Sequence, residues 1–463
     1  MMTIWVPDLS NRDGPLYTAI ADAIDDAVRS GDLPPDSRLP PQRELAWRLG
    51  VTVGTVTRAY ALAEQRGAVS AHVGRGTFVR PSPAYAVASP YFPDPAPNII
   101  DLSVNTPLYD LPSEALRQAL ADLSRRPDLD ALLRYTPDRG HERHRAAGAV
   151  WMRRVGIETM PDCVVLANGV QQGLTTALLT LTQPGDTVLT EELTYGGIIE
   201  AAQICRVGLR GLAMDADGIL PDALDEAVTE TGARVLITNP TIHNPTSIDV
   251  PEQRRRELLA IAEAHDMLIV EDDVYGNLPA ERAPPMAMLA PDRVVYVTSA
   301  SKCMAPGLRV AWLACPEKLA GRIAESIHMQ AVCLPPLTAE IATMWIEDGT
   351  GDELAQQIAD EATARQALAA DAFDGLDWHS HPNGFHGLLY LPSPWRRETF
   401  AAAAAQRGVR IVPAGTFAVG QTTAPHAVRL ALIAARDRPV LGQALSTLSE
   451  LARSAPGSRG IVI

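Results

Sequence analysis

RVVYVTSASKCMAPGLRV, residues 293–310, is the stretch from which this chain is best read. Its β-branched and aromatic run, Val294, Val295, Tyr296 and Val297, ends in small hydroxyl residues, then Lys302, then a Pro-Gly turn leading to Arg309. That order predicts a buried strand delivering one amine to a pocket. Of the 40 basic side chains, only Lys302 and Lys318 are lysine. A guanidinium keeps its proton near neutrality, whereas an ε-amine can be desolvated, deprotonated and made nucleophilic. A chain that uses arginine wherever positive charge alone will do therefore marks Lys302 as a site of amine chemistry, as a Schiff-base lysine requires. Lys318, in PEKLA, reads as a snorkelling surface lysine.

Outward from this stretch, 463 residues with 46% hydrophobic content are enough to bury a large core and to form more than one domain. There is no apolar run of 18 or more residues, and the opening MMTIWVPDLSNRDGPL lacks the basic-then-apolar order of a signal peptide. The expectation is a cytoplasmic protein without a membrane span. The five cysteines, Cys163, Cys205, Cys303, Cys315 and Cys333, are scattered and form no C-x-x-C pair, which indicates reduced thiols rather than a disulfide framework or a zinc site. A net charge of −15 argues against a protein that coats nucleic acid along its whole length. Residues 34–80 depart from that balance, with seven arginines against three acids, a local charge of +4.

In that basic region and just before it, residues 16–30 carry apolar side chains at helical spacing and stop at Gly31. Residues 42–49 make a short second helix ended by Gly50, and Thr52 can cap a third that runs to about residue 65. Val56, Ala59, Tyr60 and Ala63 of the third helix face a core, leaving Thr55 and Arg58 outside. Two short β segments, 69–72 and 77–79, flank a Gly-Arg-Gly tip that carries Arg75. Helix, turn, helix and wing in this order resemble the winged helix-turn-helix of GntR-type regulators. By that resemblance Arg38, Arg43, Thr52, Thr55, Arg58 and Arg75 are the contacts to double-stranded operator DNA, although Gly54 stands where many relatives carry Arg or Asn. Six prolines between Arg80 and Ile99 then mark a semi-rigid spacer. The expected domains are 1–80 for the DNA reader, 81–98 for the linker and 99–463 for the remainder.

From residue 99 onward helices and strands alternate, as in an α/β domain with a mainly parallel sheet. Strands are expected at 163–167, 187–191, 234–238, 267–271 and 294–298, and each is followed by a polar cluster. Ligands of open α/β sheets bind outside the carboxyl ends of the strands, so one pocket can collect all five clusters. The turn Asn168-Gly169-Val170-Gln171-Gln172-Gly173 opens a helix whose amino terminus can hold a phosphate. Val428 to Leu432 is an apolar strand with Arg429 inside it, and a buried guanidinium needs an anion. Residues 355–373 and 397–406 read as helices of a smaller carboxyl-terminal subdomain, at about 346–463. Asp273 is expected to be a solvated acid and His243 a loop histidine.

Ser299, Ser301, Lys302 and Arg309, spaced S-x-S-K with Arg seven residues on, resemble the anchoring segment of fold-type I aminotransferases that use pyridoxal 5′-phosphate (PLP). The resemblance implies that Lys302 holds PLP as an aldimine and that Ser299, Ser301 and Arg309 hold its phosphate, with Val170 (through its backbone) and Gln171. It further implies that Tyr195 stacks on the pyridine ring, that Asn244 and Tyr275 reach O3′, and that Asp272 keeps the ring nitrogen protonated. Lys302, Asp272 and Tyr195 are then the catalytic set. Arg429 would take a ligand α-carboxylate, with Asn244 beside it. Tyr135 would reach the phosphate of a neighbouring subunit, implying a homodimer. Leu193 and Gly196 replace usual prolines, and Ser247 a usual glycine.

A GntR-type reader joined to an aminotransferase-like domain resembles the MocR/PdxR class of bacterial regulators. This implies a transcriptional regulator that senses PLP, or a small amino-acid or amine effector, at Lys302. Two alternatives stay open: a working aminotransferase with an incidental DNA reader, and a constitutive DNA-binding scaffold with an inert second domain.

Overall fold

The computed structural model describes residues 5–7, 9, 15–30, 33, 37–65, 68–72, 76–79, 99–107, 111–279, 281–420 and 422–454. Arg75 and the 81–98 spacer lie outside the described residues. The chain divides into two compact units, the second beginning at Pro95.

In the first unit, helices Leu16–Ser30, Gln42–Leu49 and Val53–Gln65 precede an antiparallel hairpin, Val69–His72 with Gly76–Val79. Ile20, Ile24, Leu45, Val56, Ala59, Ala63, Val69 and Val79 share one apolar cluster, so the helical spacing of these residues is what closes the unit. The turn between the second and third helices is built by two caps. Gly50 adopts φ 67° and donates its N–H to the carbonyls of Ala46 and Trp47, while Thr52 Oγ1 accepts from Thr55 N at 3.2 Å. Helix-turn-helix geometry thus follows from a residue free to turn left-handed and a hydroxyl two positions later.

The second unit is an α/β fold centred on a seven-stranded sheet. In spatial order its strands are Val164–Ala167, Ala311–Ala314, Val294–Ser299, Leu268–Asp272, Val235–Thr238, Thr187–Glu191 and Gly208–Leu212. Only Ala311–Ala314 runs antiparallel to its neighbours. Residues on the central strands are buried on both faces: Val294 and Tyr296 join one core cluster, Val295 and Val297 another. Each of the five expected strands forms, with ends shifted by at most one residue.

A smaller antiparallel sheet, in the order Asp377–Ser380, His386–Tyr390, Ala427–Ala431, Val412–Pro413, packs against helices Thr350–Ala372, Arg397–Gln406 and Arg438–Arg453. The short strand Ile100–Asp101 pairs in parallel with Val409–Arg410, and Leu102 is buried in the same cluster as Phe373, Phe400 and Leu441. Ile100 to Leu102 are therefore part of the smaller subdomain. Among the described residues, no helix is long and apolar enough to cross a membrane.

Candidate functional site

Strand Val294–Ser299 delivers Lys302 as its residue order predicts, to the carboxyl end of the parallel strands, where Leu268–Asp272 also ends. Lys302 Nζ donates to the Asn105 carbonyl. Its pKa falls to about 8, first because burial penalises the ammonium and next because the Arg429 charge repels it. The amine is thereby brought close to the pH at which it is a nucleophile.

Three consecutive acids, Glu271, Asp272 and Asp273, meet three environments. Glu271 accepts from the backbone N–H groups of Met286 and Ala287, both at 2.9 Å, and pairs with Arg255 at 3.4 Å. Asp273 is not the solvated acid its sequence context suggests: it is fully buried, paired with Arg282 at 2.7 Å and bonded by the Tyr296 hydroxyl at 2.8 Å. Asp272 is also buried; its Oδ1, like Asp273 Oδ1, has no hydrogen-bond partner among the described residues, and unlike Asp273 it has no ion pair there. Burial raises its pKa to about 7, with repulsion from Asp273 and Glu191 adding to the effect. Asn239 fixes its backbone by donating Nδ2 to the Asp272 carbonyl at 2.6 Å, while Asn239 Oδ1 accepts from Asn244 N at 2.9 Å.

Asn244 Oδ1 accepts from Arg429 Nη1 at 3.1 Å, and Arg429 Nη2 reaches the Ser103 carbonyl. The guanidinium lies 5.0 Å over the Phe417 ring. The Asn244 amide oxygen, the Ser103 carbonyl and the Phe417 face thus fix the direction of the Arg429 guanidinium. His243 lies in a loop, as its sequence context suggests, and is buried there, with Nδ1 2.6 Å from Thr246 Oγ1.

At the other end of the site Gly169 caps helix Val170–Leu181 with φ 80°, and the Arg309 guanidinium lies across it. A Cβ on Gly169 would sit 2.0 Å from Arg309 Nη2, so glycine is required both for the backbone angle and for the close approach. Ser299 Oγ accepts from Ser301 N at 3.2 Å, and the buried Ser301 Oγ has no partner among the described residues. Gln171 donates Nε2 to the Gly197 carbonyl at 2.7 Å, and both Gln171 and the Tyr195 ring approach the space a Gly197 side chain would occupy. Helix amino terminus, guanidinium and unpartnered hydroxyl are groups that can cradle a phosphate.

The donor set fits PLP: the unpartnered Asp272 oxygen could take the pyridinium N–H, the Tyr275 phenol and the Asn244 amide could reach O3′, and the cradle could take the phosphate. Of the expected site residues, Lys302, Asp272, Tyr275, Asn244 and Arg429 join one network through Asn105, Asn239 and short-range charge effects, while Val170, Gln171, Tyr195, Ser299, Ser301 and Arg309 surround the cradle. Tyr135 stands apart, 81% exposed. In the first unit Arg38, Arg43, Thr52 and Arg58 are exposed and Thr55 is half-buried, and the Arg38 guanidinium packs over Gly76 of the hairpin. Sequence reasoning passes over Asn105, which donates Nδ2 to Tyr275 Oη at 2.9 Å, and over His386, 3.0 Å from that amide. Both sit in stretches whose local pattern signals no ligand chemistry.

Residues 97–448 match the family model for aminotransferase class I and II, and residues 16–79 match that for bacterial regulatory proteins of the gntR family. The chain is 28% identical to the uncharacterized HTH-type transcriptional regulator YdeF of Bacillus subtilis, over 96% of each sequence. It is 24% identical to the HTH-type pyridoxine biosynthesis transcriptional regulator PdxR of Corynebacterium glutamicum, over 85% of this chain and 87% of that one. The multiple substrate aminotransferase of Thermococcus profundus superposes with a TM-score of 0.70 at 25% identity, covering 77% of this chain and 92% of that structure. With the fold, the phosphate cradle and the lysine in place, the chain belongs to the class I and II aminotransferases, whose cofactor is PLP, and carries a gntR-family regulatory domain at its amino-terminal end.

Proposed function

We propose that this protein is a transcriptional regulator in which the gntR-type unit, within residues 1–80, reads double-stranded operator DNA and the PLP-binding domain, residues 99–463, senses an amino-acid or amine effector. The observation that carries the reading is the meeting of Lys302, with its lowered proton affinity, and the buried Arg429, whose charge acts on it, on a chain that also has a helix-turn-helix.

PLP, when bound, supplies an electrophilic carbonyl carbon for which amines compete. Lys302 provides the resident amine, and Asp272 holds negative charge against the ring nitrogen. Arg429 selects a ligand bearing a carboxylate, with Asn244 orienting the guanidinium. Tyr195 packs beside Gln171 at the cradle, where Val170, Ser299, Ser301 and Arg309 take the phosphate. The exposed Tyr135 suits a role across a homodimer interface. Arg38, Arg43, Thr52, Thr55, Arg58 and Arg75 form the DNA-reading set, and the protein works in the cytoplasm beside its operator. A ligand that binds two conformations with different affinity then shifts their populations, and that difference is the coupling to DNA.

The test is a paired titration on one preparation. The absorption of bound PLP and the affinity for the gene's own upstream DNA are followed during addition of amino acids and amines, with Lys302→Ala as control. A ligand that moves both signals in the wild type, with the optical change lost and DNA binding uncoupled in Lys302→Ala, is the expected result. Accumulation of a 2-oxo acid with unchanged DNA affinity would overturn the proposal in favour of an aminotransferase.

A further inference from the structure

Asn105 lies at the centre of the site in a position that the cofactor-holding roles above do not use. It is buried and bridges two layers: Tyr275 follows a strand of the large sheet, and His386 begins a strand of the small one. Its Nδ2 lies 2.9 Å from Tyr275 Oη and 3.0 Å from His386 Nδ1.

The ring protons of the neighbours settle which way this amide faces. His386 is fully buried, and burial together with the Arg429 charge pushes its pKa to about 3, so it carries a single ring proton near neutrality. His386 Nε2 is 3.0 Å from the His243 carbonyl, which can only accept, so the proton is on Nε2. His386 Nδ1 is therefore an acceptor, and the Asn105 atom facing it must be the NH2 group. One amide hydrogen goes to His386 and the other to the Tyr275 oxygen. Since that phenol oxygen already accepts, its own hydrogen is directed elsewhere. Asn105 Oδ1 is left buried without a partner among the described residues, as expected if the amide is held in this orientation by its two donor bonds.

We infer that Asn105 is a positioning residue that, braced by His386, holds Tyr275 as a hydrogen-bond donor toward O3′ of the bound cofactor. The inference rests on PLP occupying the site as in the reading above, and it adds a residue that acts through Tyr275 rather than on the ligand. A donor at O3′ stabilises its deprotonated form. Without Asn105 the phenol is free to rotate, the donor bond weakens, and the cofactor's proton affinity rises.

The experiment reads the pH midpoint of the absorption change of bound PLP, with no DNA and no effector present, in the wild type, Asn105→Ala, the near-isosteric Asn105→Asp, Tyr275→Phe and Asn105→Ala/Tyr275→Phe. The midpoint is expected to rise by about one pH unit, tenfold in proton affinity, in Asn105→Ala, and to rise likewise in Asn105→Asp. In the Tyr275→Phe background Asn105→Ala is expected to add nothing. Thermal melts of each variant separate a local effect from loss of fold, and Asn105→Asp retains the side-chain volume should the alanine variant unfold. A wild-type midpoint in both Asn105 variants, or an equal shift in the Tyr275→Phe background, overturns the inference while leaving the regulatory reading intact. DNA affinity that ignores every ligand overturns the regulatory reading and leaves this one standing, whereas a wild-type chain that takes up no PLP overturns both.

Discussion

Gly169→Ala isolates the phosphate cradle from the rest of the fold. Two costs arise, and they fall on different measurements. The first is conformational: Gly169 has φ 80° and ψ 167°, a region essentially confined to glycine, and a side chain there costs about 1–3 kcal/mol. A cost carried alike by the free and the loaded protein lowers folding stability and leaves affinity unchanged. The second is steric: the new Cβ would lie 2.0 Å from Arg309 Nη2 and 2.6 Å from Cζ, so the guanidinium must leave the helix amino terminus. Arg309 is an exposed, flexible side chain and moves at little folding cost, but a phosphate loses a charge-assisted hydrogen bond worth about 1.5–3 kcal/mol. At about 1.4 kcal/mol per factor of ten, PLP should bind roughly 10- to 150-fold more weakly. Equilibrium titration of the ligand-free protein with PLP measures this, and urea unfolding measures the first cost separately. Arg309→Ala should reproduce the affinity loss, and the double variant should bind no more weakly than Arg309→Ala alone. Gly307→Ala is the control, because nothing lies within 4 Å of its added Cβ. Wild-type PLP affinity in Gly169→Ala, or fully additive losses in the double variant, would refute the assignment of Arg309 to the phosphate.

Asp272 gives a pH signature in the ligand-free protein. Its pKa is about 7 when folded against an ordinary value of 3.8, so between those values the folded chain holds a proton that the unfolded chain has released, and this group subtracts stability as pH rises through the window. Asp272→Asn should therefore gain stability relative to wild type from about pH 4 to pH 7 in urea titrations, and parallel curves would sink the idea. In the first unit, Arg58→Ala should weaken DNA binding and lower the slope of log affinity against log salt by about one if Arg58 meets a phosphate. An unchanged slope and affinity would remove it from the DNA-reading set.

The parts of this molecule that are legible in its sequence are those governed by local pattern. Helical spacing and a glycine stop define Leu16–Ser30, and a β-branched run defines Val294–Ser299. The strand Ala311–Ala314 is only four residues long and follows the lysine loop, so periodicity gives it no weight, yet it fills the gap between Val164–Ala167 and Val294–Ser299. Gly208–Leu212, GLRGL, has a composition that disfavours strands and forms one as the edge partner of Thr187–Glu191. Asp273 looks like a solvated acid because its partners, Arg282 and Tyr296, come from other segments and are paired with it only by the fold. Asn105 and His386 are hidden for the same reason: they are 281 positions apart and acquire meaning only when two sheets meet. Lysine scarcity was informative because it reports on chemistry rather than on packing.

The pairing of Ile100–Asp101 with Val409–Arg410 has a mechanical consequence. The incoming chain is moored to the smaller subdomain, not to the seven-stranded sheet. Leu102 N–H donates to the Arg410 carbonyl at 2.8 Å, and the Leu102 carbonyl accepts from Ala431 N at 2.8 Å, so the mooring continues to within two residues of Arg429. A swing of that subdomain carries the point of attachment with it, while a rearrangement confined to the large sheet leaves the attachment where it was. Whatever pulls on residues upstream of 99 pulls first on the part of the molecule that holds the arginine.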